Sequence, residues 1–578
     1  MLRDLKVERW RLVVVILVLA GSAVGLILRV GYLQTAEYAS FARLAAAEHW
    51  GQQEITPQRG TIRDRNGYVL AATVTVFDVF VDPGVPQDPD KGAMTASLIA
   101  PVVKLPIDQV KAALLAKGER PALLVGDVSY EAGSKIEEMQ LAGIRLKKVT
   151  KRVYPEGNLA APLVGFVGQD QRGLTGLEAD FNRELMGKVG MLTYERDTVG
   201  EEIPLGYREE TPSQDGADIV LTIDRFVQRL VETELDKAMK KHNSSGATVI
   251  VMEVKTGAIL AMANRPSFDL TKLNLADNAK VNLFRIASIT DMYEPGSIFK
   301  VFTVASALQE KLIQPGTTFN CTGVVTKNGW PIRNYNGSAH GVETMTDILK
   351  NSCNIGTVWV SDLLGADRFY KYIKNFGFGQ RTYVELEGEA SGLLRTNQSQ
   401  GWTAIDLAAN AFGQGISVTP LQLVTAFAAL GNGGRLMRPY VVRQVAANTG
   451  TRDFQPVMVR QVISEETSRT LTKMMNVSGE AGTGNLAAIP GYRIAGKSGT
   501  AQISLKGGYT GDTTVAGFAG FAPMEDPRVV ILVRVDEPKD IPWGSSVAAP
   551  LFKSVMEQTL LYLRVPPTDP SKVGKPAW

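Results

Sequence analysis

Three short groups of residues in this chain have the types and spacing to do chemistry. The first is Tyr293-Glu294-Pro295-Gly296-Ser297-Ile298-Phe299-Lys300. Ser297 and Lys300 are three apart, so one helical turn sets both side chains on the same side. A serine is a poor nucleophile until a base takes its proton, and a lysine serves as that base only where its surroundings lower its pKa. A serine at the positive end of a helix is also well placed to have an oxyanion form beside it. The second group is Ser352-Cys353-Asn354. A hydroxyl and a carboxamide two residues apart in a turn between helices can share one site, one relaying a proton and the other holding an amide. The third is Lys497-Ser498-Gly499-Thr500. At the start of a strand, residues 497 and 499 point one way and Ser498 the other. Gly499 would let a substrate backbone approach closely and add itself along the strand. Each fragment alone reads as ordinary turn chemistry. Ser-x-x-Lys, then Ser-x-Asn, then Lys-Ser/Thr-Gly, in that order, is specific.

The elements that must position these groups are legible in outline. Pro295 and Gly296 punctuate a turn, and Val301, Phe302, Val304, Ala305 and Leu308 give the following helix an apolar face. Helices are expected over Met345 to Asn351, Ser352 to Leu364, Ala366 to Phe376 and Leu421 to Leu430. Strands are expected over Tyr492 to Ile503, Val515 to Ala522 and Val529 to Asp536, with a last helix from Ser546 to Leu563. Upstream, Ile219 to Thr222 reads as a short strand. Asp224 caps a helix reaching Lys241. Ala247 to Glu253 and Ala258 to Ala263 form an antiparallel hairpin. This order implies an α+β fold, an antiparallel sheet flanked by helices.

The chain has 578 residues, too many for one core, with 44% apolar and 21% charged residues. The net charge of +3 and the absence of a basic block argue against nucleic acid. Two cysteines, Cys321 and Cys353, supply neither a disulfide framework nor a thiolate metal site, although one bridge stays open. His49, His242 and His340 are scattered along the chain, so no metal is expected and no cofactor is implied. Leu12 to Leu28 is an uncharged apolar run that reaches membrane-spanning length with Val30, Tyr32 and Leu33. Arg3, Lys6, Arg9 and Arg11 precede it. The positive-inside rule therefore predicts a single-pass, uncleaved signal-anchor with a cytoplasmic N-terminus and everything after about residue 33 outside. The expected divisions are a cytoplasmic tail (1–11), the anchor (12–33), a non-catalytic region (34–215), a catalytic domain (216–564) and a loose tail (565–578). In 34–215, Asn66-Gly67 is a hairpin signal between Thr61-Ile62 and Tyr68-Val69-Leu70, and residues 73–82 alternate as a strand. No nucleophile-base pair falls in that region.

The three motifs are those of penicillin-recognising serine acyl-transferases, and nearly the whole chain resembles class B penicillin-binding proteins. Arg59-Gly60-Thr61-Ile62-Arg63-Asp64-Arg65-Asn66-Gly67, Arg152-Val153-Tyr154-Pro155-Glu156-Gly157 and Gly173-Leu174-Thr175-Gly176-Leu177-Glu178 are similar to signatures of their pedestal, the dimerisation-type domain. Val251 to Ala263, Gly413-Gln414-Gly415 and Thr419-Pro420-Leu421-Gln422 resemble their transpeptidase domain. Asn354 favours the division-type (FtsI-like) branch, because the elongation-type branch usually carries Asp there. Ser498 departs from the commoner threonine but also offers a hydroxyl.

The resemblance implies peptidoglycan crosslinking at the bacterial cytoplasmic membrane. Ser297 would attack a stem peptide ending in D-Ala-D-Ala, and Lys300 would take its proton. The N–H groups of Ser297 and Thr500 would hold the oxyanion. Ser352, linked to Lys300 and Lys497, would pass a proton to the leaving D-Ala, and Asn354 would orient the stem-peptide amide. Lys497, Ser498 and Thr500 would bind the terminal carboxylate, with Gly499 lining the same strand. β-Lactams would acylate the same serine. The implied partners are a SEDS-type glycosyltransferase and other divisome or elongasome proteins. Other readings are an elongation-type enzyme, a D,D-carboxypeptidase or β-lactamase, and a catalytically idle division scaffold.

Overall fold

A computed structural model describes residues 9–82, 88–116, 121–197, 202–273, 278–335, 337–476, 485–505 and 508–572. Residues 1–8 of the expected cytoplasmic tail and 573–578 of the expected loose tail lie outside the described residues. The chain divides into two compact units, Met1–Gln58 with Gly187–Asp215, and Arg59–Met186 with Gly216–Trp578. The expected single region 34–215 is therefore split. Its two ends pair with each other, whereas its middle is built into the catalytic unit.

The first unit carries helix α1 (Arg9–Thr35), 27 residues long and apolar enough to cross a membrane. At 1.5 Å per residue it spans about 40 Å, more than the roughly 30 Å of bilayer hydrocarbon. A second helix, Tyr38–His49, follows. Strand Trp50–Ile55 pairs with Gly190–Glu195, which pairs with Arg208–Thr211.

In the second unit, Ile62–Arg63 and Val69–Val81 form the expected hairpin around Asn66-Gly67. Asp64 is fully buried in its bend, and its Oδ1 accepts the N–H groups of Asn66 and Tyr68 at 2.8 Å. The three pedestal motifs meet at one buried carboxylate. Arg59 Nε donates to Glu178 Oε2 and Arg152 Nε to Glu178 Oε1, both at 2.7 Å. Arg152 also donates to the Gly60 carbonyl at 2.7 Å. Gly67, Gly157 and Gly176 of these motifs shape turns at positive φ, and the charged residues between them form a structural lock. Ile62–Arg63 also runs parallel to Asp218–Leu221, which pairs with Val442–Ala447, so one sheet passes from the pedestal segment into the catalytic segment.

The catalytic segment opens with helix α2 (Arg225–His242), capped by Asp224 as expected. Strands β1 (Gly246–Glu253) and β2 (Ile259–Arg265) form the hairpin. Then come helices α3 (Lys300–Gln309), α4 (Met345–Lys350), α5 (Asn354–Asn375) and α6 (Pro420–Gly431). Strands β3 (Ala495–Leu505), β4 (Gly508–Ala522) and β5 (Val529–Asp536) and helix α7 (Gly544–Tyr562) complete it. The five strands make one antiparallel sheet in the order β2-β1-β5-β4-β3. Alternate residues serve two cores. Val249 and Val251 of β1 pack with Val231 of α2 and Phe552 of α7. Ile250 and Met252 pack with Phe302 of α3 and Phe427 of α6. A strand buried on both faces reads as an unbroken apolar run, as Val249 to Met252 does. The expected helices over 352–376 form α5, kinked at Gly365, which has non-helical φ and ψ.

Two expectations change. Helix α3 has no solvent face. Residues Lys300 to Leu308 are all buried, because this helix runs through the centre of the core. The first part of the expected loose tail is tied down. Val565 is buried, its carbonyl accepts from Tyr492 Oη at 2.7 Å, and Asp569 N–H donates to the Gly491 carbonyl at 2.9 Å.

Candidate active site

Residues 293–300 are held by a segment more than 100 residues downstream. The Gly296 N–H donates to the Gly413 carbonyl at 3.0 Å, Tyr293 pairs with Val418, and Glu294 Oε1 accepts from the Gly415 N–H at 3.0 Å. These bonds stop the chain from entering a regular helix at once. Gly296–Phe299 instead forms a 3₁₀ turn, and α3 starts at Lys300. In a 3₁₀ turn residues i and i+3 eclipse, which aligns Ser297 with Lys300 more directly than an α-turn would. Ser297 remains partly exposed, whereas Lys300 is fully buried.

Ser352 lies in the turn between α4 and α5, with φ of 57°. For a side chain with Cβ this left-handed conformation is uncommon and is characteristic of functional turns. Lys300 Nζ donates to the Ser352 carbonyl, and to Ser352 Oγ at 3.1 Å. Lys497 Nζ donates to the same Oγ at 3.1 Å and to the Ser498 carbonyl at 3.2 Å. One hydroxyl thus bridges two buried lysines. Burial, and then the neighbouring Lys497 charge, hold Lys300 well below the usual lysine range. Burial brings Lys497 down to about 7. The lowering favours the uncharged amine of Lys300, the form able to accept a proton, and near neutral pH Lys497 is divided between its two forms.

Asn354 begins α5. Its Nδ2 donates to the Arg333 carbonyl at 2.9 Å, which leaves its side-chain oxygen to accept. Asn334, not singled out by sequence, holds this turn. Its Oδ1 accepts from the Asn354 N–H at 3.0 Å and the Ile355 N–H at 3.3 Å. Its only sequence signal was a polar residue at the end of a short hairpin strand.

Strand β3 carries Lys497 to Thr500 at the edge of the sheet, paired on one side with β4. On its other edge Ala495 bridges to Asn476 and the Gly496 N–H donates to the Met475 carbonyl, and beyond them no strand partner follows among the described residues, which suits an added peptide strand. Gly499 faces the Pro295–Ile298 turn that carries the nucleophile. The reason for glycine at 499 differs from expectation. A Cβ there would lie 2.8 Å from Ile298 Cγ1 and 3.0 Å from the Pro295 carbonyl, so the space admits the nucleophile turn on that face. Gly296, at φ 55°, likewise has room only for hydrogen, since a Cβ would lie 2.9 Å from the Thr500 carbonyl oxygen. This backbone approach brings Ser297 and Thr500 to the same rim. Thr500 Oγ1 accepts from the Gly544 N–H at 3.0 Å, which leaves its hydroxyl hydrogen to donate outward. Ser498 is 7% exposed. Across the cleft the rings of Tyr335 and Trp543 meet at 4.2 Å, an aromatic contact that no spacing rule would find.

Lys300, Ser352 and Lys497 are thus joined by hydrogen bonds, Ser297 and Thr500 sit at the rim beside them, and Asn354 lies one turn away. A partly exposed serine, two buried lysines with lowered pKa values that share one hydroxyl, and an edge strand form a set that can support acyl transfer to and from a serine.

Known proteins resemble the chain over most of its length. Residues 247–557 match the penicillin binding protein transpeptidase domain, and residues 54–221 match the penicillin-binding protein dimerisation domain. Stage V sporulation protein D of Bacillus subtilis is 36% identical over 559 residues, covering 95% of this chain and 85% of the relative. The Escherichia coli protein named peptidoglycan D,D-transpeptidase FtsI is 32% identical over 522 residues, covering 89% and 85%. A structure of penicillin binding protein 3 from Mycobacterium tuberculosis, complexed with aztreonam, superimposes with a TM-score of 0.69 at 26% identity, covering 91% of this chain and 100% of that one. Penicillin binding protein 2X from Streptococcus thermophilus shares the fold with a TM-score of 0.77 at 24% identity, covering 88% and 80%.

Proposed function

This chain belongs to the penicillin-binding protein family, and from that premise we propose that it is a peptidoglycan D,D-transpeptidase working through a serine acyl-enzyme. The observation that carries the mechanism is the Ser352 hydroxyl shared by Lys300 and Lys497 beside Ser297. Lys300, uncharged because it is buried next to a second lysine, takes the Ser297 proton as the oxygen attacks the penultimate D-Ala carbonyl. The Ser297 and Thr500 N–H groups stabilise the oxyanion, each such donor contributing about 3 kcal/mol. The proton passes through Ser352 to the departing D-Ala amine. Lys497 as an ammonium, with the Ser498 and Thr500 hydroxyls, holds the terminal carboxylate. The Asn354 side-chain oxygen accepts the stem-peptide amide. An amine from a neighbouring stem then attacks the acyl-enzyme, and a β-lactam carboxylate and carbonyl take the same places.

In this reading α1 is a single-pass anchor with its N-terminus in the cytoplasm, which puts Ser297 on the side of the cell wall. The relatives named FtsI and stage V sporulation protein D support a role in septal synthesis, and the family resemblance implies a SEDS-type glycosyltransferase as partner. Labelling with a fluorescent penicillin tests the chemistry. Wild-type protein forms a lasting adduct and Ser297→Ala forms none; an adduct on the alanine variant identifies another nucleophile. Depletion followed by microscopy tests the role. Filaments support division, and rounded cells refute it.

A further inference from the structure

Beneath the Ser352-Cys353-Asn354 turn, four side chains converge that the acyl transfer leaves unused. Cys321 ends the strand Thr318–Cys321, and Glu343 lies on the strand Gly341–Thr344 that pairs with it. His340 precedes that second strand, and Cys353 caps α5. One donor atom from each of Cys321, His340, Glu343 and Cys353 lies within 4.8 Å of all the others. The two Sγ atoms are 3.3 Å apart, and His340 Nδ1 is 3.1 Å from Glu343 Oε1. The sequence reading that two cysteines and scattered histidines build no thiolate site holds only along the chain. Pairing of the two strands brings the residues together.

The protein alone leaves this cluster unfinished. Glu343 is 3% exposed, yet its Oε2 has no hydrogen-bond donor. His340 Nδ1 is also buried and lacks a hydrogen-bond partner, its approach to Glu343 being misaligned. A buried carboxylate oxygen without a donor or cation is unfavourable. The sulfurs are already braced from outside the cluster. Asn334 Nδ2 donates to Cys321 Sγ at 3.1 Å, and the Gly356 N–H donates to Cys353 Sγ at 3.3 Å, as outer-shell groups do for metal-bound thiolates.

We propose that Cys321, His340, Glu343 and Cys353 form a structural site for a soft divalent cation of the zinc class. Two thiolates with an imidazole select zinc over magnesium or calcium. Bonds of about 2.0–2.3 Å place the donors of a tetrahedral zinc site about 3.3–3.8 Å apart, close to the spacings present. Loading releases the two thiol protons to solvent and offsets the Glu343 charge. A disulfide would use the two sulfurs alone and leave Glu343 Oε2 and His340 Nδ1 as they are. Because Cys353 sits between Ser352 and Asn354, the ion pins the left-handed turn that carries Ser352. These four are positioning residues, and they act on the reaction only through that turn.

The test uses the full chain purified in detergent without chelator, analysed by elemental mass spectrometry and by thiol titration after denaturation. The expected result is about one zinc per chain, with both thiols reactive without reductant. Replacing the ion with Co²⁺ gives a thiolate-to-cobalt charge-transfer band, which Cys321→Ser abolishes and His340→Ala weakens. Chelation lowers the thermal midpoint, and Zn²⁺ restores it. Metal-free protein that neither takes up Zn²⁺ nor gives the cobalt band overturns the proposal. So do sulfurs that titrate only after reduction, which would mean a Cys321–Cys353 disulfide. Should Cys321→Ser not fold, the wild-type metal content still decides. None of these readouts depends on acylation of Ser297, so the site and the proposed mechanism stand or fall separately.

Discussion

The pH dependence of acylation tests the division of labour between the two lysines. Lys497 is 4% exposed and titrates at about 7. Its ammonium is the form that binds the carboxylate of a penicillin, so the second-order acylation constant should follow its protonated fraction in the free enzyme. That fraction is about one half at pH 7 and about one hundredth at pH 9, so acylation by a fluorescent penicillin should fall about 50-fold between them. At saturating penicillin the bound carboxylate favours the ammonium, and the alkaline limb should move to higher pH. Lys300 must be uncharged and lies well below the usual lysine range, so its loss of activity belongs to an acid limb. Lys497→Arg keeps a charge at every accessible pH and should remove the alkaline limb, even though its planar fork lowers the absolute rate. The measurement is the initial rate of adduct formation from pH 6 to about pH 9 for both proteins. A flat wild-type profile across that range, or an alkaline limb that survives in Lys497→Arg, would refute the assignment.

The remaining predictions concern single groups. Ser352→Ala removes the oxygen shared by Lys300 and Lys497 and should slow acylation by about 100-fold or more, with the adduct still on Ser297; an unchanged rate would exclude Ser352 as the relay. Lys497 should also make stability rise with pH. Its folded pKa is lowered, so the unfolded chain binds the extra proton between about 7 and 10.5, and unfolding becomes harder as pH climbs through that window. The thermal midpoint of wild type relative to Lys497→Met should therefore rise from pH 7 to about pH 9, and a fall would contradict the buried ammonium. Glu178→Gln strips the carboxylate from between Arg59 and Arg152 and should cost about 3–5 kcal/mol, read as a lower urea midpoint.

How much of this was legible in the sequence follows from distance along the chain. Asp224 before an amphipathic run, Asn66-Gly67 between two short apolar runs, and the apolar strands 247–253 and 529–536 are local signals, and each element formed where expected. The apolar face of α3 was legible, but its burial on every side was not, because the residues that cover the rest of it come from other parts of the chain. The site was legible as a set of motifs, since Ser297, Lys300, Ser352, Asn354 and Lys497 each stand in a short pattern. What held them was not. Asn334, Gly413 and Gly544 act through hydrogen bonds from other parts of the chain, which leave no periodicity. The meeting of Arg59, Arg152 and Glu178, and of Cys321 with Cys353, depends on strand pairing in the same way.

The sheet that joins the pedestal segment to the catalytic segment also sets an order on synthesis and export. Strand Ile62–Arg63 lies beside Asp218–Leu221, and Thr61 and Asp218, which hydrogen-bond there, are 157 residues apart. The next strand, Val442–Ala447, arrives later still. An emerging chain therefore presents an unpaired strand edge long before its neighbours appear, the condition that invites mispairing. Residues 59–186 cannot complete their fold as an independent module. The shared sheet gains Val442–Ala447 only late in the chain, so a chain truncated before this strand leaves the sheet incomplete.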